Sequence, residues 1–142
     1  MELKVVEQLV EAGDIVITVG GGGIPVIETE RGLKGVAAVI DKDRASALLA
    51  RDIGADRLII LTAVDRVCVN FNKPDQRELA EMTLEDCERY IAEKQFAPGS
   101  MLPKVESCMA FVRGSGRGTA LITSLSRAAE ALEGKTGTVI TQ

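Results

Sequence analysis

The chain has no histidine and no tryptophan, and among its 142 residues only Phe71, Tyr90, Phe96 and Phe111 are aromatic. Without an imidazole there is no Ser-His or Cys-His nucleophile pair and no histidine metal site. Any chemistry must run on Lys, Arg, Asp, Glu and backbone groups. With few rings and a net charge of −4, the sequence offers neither the basic field nor the stacking surfaces of a nucleic-acid binder, so no nucleic-acid partner is expected. Cysteine is scarce too. Cys68, Cys87 and Cys108 are odd in number and lack C-x-x-C spacing, which argues against a disulfide framework or a zinc site and reads as buried thiols. No apolar run approaches the ~20 residues that span a bilayer, and the charged start "MELKVVEQ" does not resemble a signal peptide. The expected setting is the cytoplasm, with no membrane partner.

What is present fits a soluble globular chain: 46% hydrophobic and 27% charged residues, without the like-charge tracts of disorder. A chain of this length forms a domain of common size and buries roughly 70% of its unfolded surface. Leu3, Val6 and Val10 fall at helical spacing, and Gly13 stands where a helix would stop. "DIVITV" (14–19) has the β-branched character of a buried strand, "GVAAVI" (35–40) is a second apolar run, and "RLIIL" (57–61) reads as a third strand. Between them, "DKDRASALLARDIG" (41–54) predicts a helix with an Asp cap and a glycine stop. Further on, the pattern predicts a strand at 67–71, a capping-box helix from "TLED" (83–86) to about Lys94, and a helix through 105–112. A strand at 116–123, a helix capped by Ser124 and a final strand at 137–141 complete it. Strands alternating with helices predict an α/β fold with a mainly parallel sheet.

Four consecutive glycines, Gly20, Gly21, Gly22 and Gly23, follow the first apolar run. They fail the G-x-G-x-x-G dinucleotide spacing, which leaves a tight turn or an anion cradle. "GKT" (134–136) resembles the end of a Walker A loop, but Ala129 stands where that motif needs glycine, and Gly134 reads as a helix stop. The remaining candidates are loops after strands, where α/β sheets place ligands, with Lys42, Lys73 and Lys104 as potential phosphate partners. Asp41 and Asp43 could simply cap a helix.

"GGGGIPV", "GVAAVIDKDRASALLA", "NKPDQ", "QFAPGSMLPKVE" and the terminal "GTVI" resemble carbamate kinases, within the amino acid kinase family, over nearly the whole chain. The resemblance implies a three-layer α/β/α fold and reversible phosphoryl transfer between carbamoyl phosphate and ADP, yielding ATP and carbamate, with magnesium and a place in arginine metabolism. The matched part is the C-terminal half of longer, homodimeric enzymes. Residues 1–35 would be a strip of the carbamate-side lobe and residues 36–142 the nucleotide-binding domain. Met1 falls within a helix before "IVITVGGGG", so the sequence is expected to lack the facing lobe and to be inactive alone.

The resemblance also assigns roles. Asp43 would orient the catalytic lysines, Lys42 would lie near the transferred phosphoryl group, and Lys104 would stabilise charge on its oxygens. Gly99, Ser100 and Met101 would line the nucleotide, Thr62, Val64 and Asp65 would hold adenine and ribose, and Lys73 would bind the nucleotide. Gly20–Gly23 would approach phosphate or carbamate. One departure is visible: the wider family often carries "TDVDG" where this chain has Thr62-Ala63-Val64-Asp65-Arg66, which bears on the ribose contact. A non-catalytic nucleotide-binding or assembly module derived from such a kinase is the alternative.

Overall fold

The helices form where the sequence supplies an apolar stripe and an end signal together. In the computed structural model, which describes residues 2–142, α1 (Leu3–Glu11) stops at Gly13, whose φ of 89° frees the chain to turn back. The Gly13 N–H donates to Val10 O and the Asp14 N–H to Leu9 O, closing carbonyls that the helix leaves open. The hairpin of β1 (Val26–Thr29) and β2 (Gly32–Gly35) follows, exposed along its length. α2 (Lys42–Asp52) starts at Asp41, whose Oδ1 accepts the N–H groups of Asp43 and Arg44 at 3.0 Å each. Gly54 ends it in the same left-handed manner as Gly13.

β3 (Arg57–Thr62), the hairpin of β4 (Val67–Val69) and β5 (Arg77–Leu79), and β6 (Glu81–Thr83) lead to α3 (Leu84–Ala92). α3 opens on a full capping box, in which Thr83 Oγ1 accepts the Asp86 N–H while Asp86 Oδ2 accepts the Thr83 N–H. α4 (Met101–Ser115), β7 (Thr119–Ser124), α5 (Ala128–Leu132) and β8 (Thr138–Thr141) complete the chain. The main sheet runs β3-β7-β8-β6, with β3/β7 and β6/β8 parallel and β7/β8 antiparallel.

Side chains alternate across this sheet. Leu58 and Ile60 of β3, Ala120 and Ile122 of β7 and Ile140 of β8 face α2 and α4 and join Val105, Phe111 and Val112 in one core. The opposite face of β7 presents Leu121, where α5 packs and Gly137 approaches so closely that a β-carbon there would lie 2.6 Å from Leu121 Cδ1. Helices thus cover both faces of the sheet around β7, giving an α/β/α layering. The peripheral hairpin is tied in by a buried hydroxyl: Thr138 Oγ1 accepts the Val67 N–H at 2.8 Å and donates to Leu79 O at 2.6 Å.

Several sequence expectations need correction. Residues 14–19 form no strand; they run as irregular chain, with Ile15 and Ile17 99% and 98% exposed. Residues 36–40 form none either. Both stretches have strand composition, but among the described residues neither has a neighbouring strand to take up its backbone groups. The strand expected at 67–71 stops at Val69, and α4 begins at Met101, with Pro103 in its first turn. Ser124 does not cap a helix with its side chain: a short 3-10 turn at Leu125–Arg127 precedes α5, and the hydroxyl points to Asp65. The reading of Gly134 as a stop holds, since its φ is 77° and its N–H donates to Ala131 O.

Candidate functional site

α2 and α4 pack side by side, and their first turns bring three of the candidate residues together. Lys104 Nζ donates to Asp43 Oδ2 at 2.9 Å, with side chains only 13% and 10% exposed, and Lys42 Nζ lies 3.9 Å from Asp43 Oδ1. Asp41 takes over the capping of α2, which leaves the Asp43 carboxylate free to face the lysines. Burial of a matched charge pair costs desolvation, so the arrangement is held by geometry on both sides. Lys42 is 60% exposed and can reach outward. A second, exposed pair, Arg44 to Glu106 at 2.9 Å, joins the same two helices.

The glycine loop lies against the entry to α2. Gly22 has a φ of 137°, and a β-carbon on it would fall 2.0 Å from Ile40 O, so no other residue fits without moving backbone. The Gly20 and Gly22 N–H groups are used in local turns, to Thr18 O and Val19 O. Gly22 and Gly23 line a cavity of about 660 Å³ with Ile40, Arg44 and Leu48, whereas Gly20 and Gly21 are not on its wall.

A second cavity, of about 410 Å³, opens between the end of β3, the β4–β5 hairpin and the loop into α4. Of the residues expected at the nucleotide, Thr62, Val64, Lys73, Ser100 and Met101 line this cavity, while Gly99 and Asp65 do not. Asp65 is engaged elsewhere: Oδ1 accepts the Ser124 hydroxyl at 2.5 Å and Oδ2 the Arg127 guanidinium at 3.3 Å. The Ser124 hydrogen bond, then that of Arg127, lowers the Asp65 pKa. Cavity residues that sequence reasoning did not single out are Arg66, Asn70, Lys94 and Phe96. Lys94, just past the end of α3 at φ 56°, carried no sequence signal that marks it as a cavity residue.

Cys87 and Cys108 are buried as expected; burial pushes the Cys87 thiol up to about 12 and raises Cys108 further. Cys68 is not: it is half-buried on the second cavity's wall, where burial, then Glu78, raises its thiol pKa. Among the described residues no group of three or more Cys, Asp or Glu is placed to hold a metal ion, and Asp43 faces two lysines. No helix among them is long and apolar enough to cross a membrane.

The geometry can be set beside known proteins. The amino acid kinase family profile matches residues 1–124. Carbamate kinase of Clostridium perfringens (strain 13 / Type A) is 56% identical over 140 residues, covering 99% of this chain and 45% of that protein. The carbamate kinase-like protein YqeA of Escherichia coli (strain K12) is 57% identical over 142 residues, 100% of this chain and 46% of the relative. A solved structure of carbamate kinase from Giardia lamblia bound to AMP-PNP matches with a TM-score of 0.94 and 42% identity, over 99% of this chain and 44% of that one. The chain therefore spans somewhat under half the length of these relatives. Sequence profile, identity and backbone agree, and the chain belongs to the amino acid kinase family.

Proposed function

We propose that this chain forms the nucleotide-binding half of a carbamate kinase, which transfers a phosphoryl group reversibly between carbamoyl phosphate and ADP. The observation that carries the reading is the buried Asp43–Lys104 pair with Lys42 beside it at the entries of α2 and α4, where Ser100 and Met101 at the start of α4 line the cationic cavity. In the transfer, the phosphorus–oxygen bond to carbamate breaks as a new one forms to the terminal oxygen of ADP. Such a transition state spreads charge over the phosphoryl oxygens and needs positioning and cations more than a proton acceptor. Lys104 spends one N–H on Asp43 and keeps two for those oxygens. Asp43 holds Lys104 in place, and the exposed Lys42 supplies the second cation. The cavity walled by Thr62, Val64, Lys73, Ser100 and Met101 takes the nucleotide, which would carry magnesium on its own phosphates.

The glycine loop serves the phosphate or carbamate side. Residues 1–35 belong with the carbamate-side lobe and 36–142 with the nucleotide lobe, and the complete enzyme acts as a cytoplasmic homodimer. These residues match under half of the length of the relatives; taken by themselves they are expected to bind nucleotide without completing the transfer, which needs both reactants positioned together. Calorimetric titration with MgADP tests the reading: saturable binding is expected, and no heat even at millimolar nucleotide would remove it. A coupled ATP-forming assay with a family N-terminal half supplied in trans separates a kinase half, which gains activity, from a non-catalytic binding module, which does not.

A further inference from the structure

The second cavity carries a charge imbalance. Arg66, Lys73 and Lys94 are on its wall, and no Asp or Glu is. The two lysines can extend into water. Arg66 differs, because its Nε is buried with no hydrogen-bond partner, and Arg66 is in none of the ion pairs among the described residues. A buried guanidinium N–H without an acceptor is costly unless a ligand supplies one.

The neighbouring acid attracts Arg66 through space but takes no hydrogen bond from its Nε. Asp65 is next in sequence, yet its two oxygens are taken by Ser124 and Arg127, and it lies off the cavity wall. The loop from Thr62 is therefore pinned on one side by Asp65 while Val64 and Arg66 face the cavity on the other.

We propose that Arg66 is the anionic-ligand anchor of this cavity, donating to a phosphate oxygen of a nucleoside diphosphate and selecting phosphorylated nucleosides over bare ones. The proposal rests on the nucleotide reading and adds a residue to it. A guanidinium suits this role because its planar donors match phosphate oxygens in pairs and its charge persists at every working pH.

The experiment compares ADP with adenosine by calorimetry on the unaltered chain and on Arg66→Gln and Arg66→Lys. Losing one charged hydrogen bond should weaken ADP about tenfold, leave adenosine within about twofold, and flatten the salt dependence of ADP binding. Arg66→Lys keeps the charge but not the paired donors, so its preference for ADP should fall between that of the unaltered chain and that of Arg66→Gln; should Arg66→Gln fail to fold, a lysine variant that weakens ADP and adenosine equally overturns the anchor. Equal weakening of ADP and adenosine, or unchanged ADP binding, overturns it as well. Failure of the unaltered chain to bind either ligand would instead strike at the nucleotide reading, and with it the anchor.

Discussion

Asp43 and Lys104 are separated by 61 positions, yet each is useful only in the presence of the other. Removing one partner leaves a charge in a dry setting, which costs about 3 to 5 kcal/mol, whereas replacing both can approach neutrality. Asp43→Asn and Lys104→Met should therefore each lower stability in urea by about 3 kcal/mol, and the double variant by clearly less than the sum. Additive losses would show that the pair is not coupled. The pattern "DKD" made both aspartates candidates for capping, and only the structure divides the work: Asp41 caps and Asp43 turns to the lysines. Gly22 shows the converse. The sequence displayed four equivalent glycines, and the packing of Ile40 O singles out one of them as irreplaceable.

At the scale of elements, the helix ends were the most legible features, because capping is local chemistry within a few residues. "TLED" became a capping box, and Gly13, Gly54 and Gly134 all became left-handed stops. These caps also predict an acid response. The Asp41 carboxyl is held below its usual pKa of 3.8 chiefly by the Arg44 N–H, and that of Asp86 chiefly by the Thr83 N–H. Groups with depressed native pKa values add stability above their unfolded pKa and lose it as pH falls through the native one. The melting temperature is expected to hold between about pH 7 and 5 and to drop below about pH 4, where these carboxylates take up protons. Asp41→Asn with Asp86→Asn keeps capping groups but removes their titration, and should make that acid drop shallower; an unchanged slope would show that other groups govern it. Strands were less legible. "DIVITV" and "GVAAVI" carry strand residues, but a strand is a relation between two segments, and composition reports only one of them.

Across the whole molecule, β3 lies at the sheet edge and its outer face exposes Ile59 and Leu61, while Ile15, Ile17 and Val39 also stand open to solvent. Apolar surface of this kind, beside an unpaired strand edge, favours association. The isolated chain should bind the dye ANS and sediment as larger species as concentration rises. A strict monomer at high micromolar concentration, with no dye binding, would contradict this.

The sequence by itself determined the α/β alternation, the helix ends and the residue types able to handle a phosphoryl group, because each depends on neighbours within one or two turns. Its long motifs also pointed to the family. Tertiary structure alone decided that Lys104 meets Asp43, that Asp65 turns away to Ser124 and Arg127, and that Arg66 is left on the cavity wall with an unpaired donor. Those outcomes depend on how helices and strands far apart in the chain are laid against one another, which no local pattern encodes.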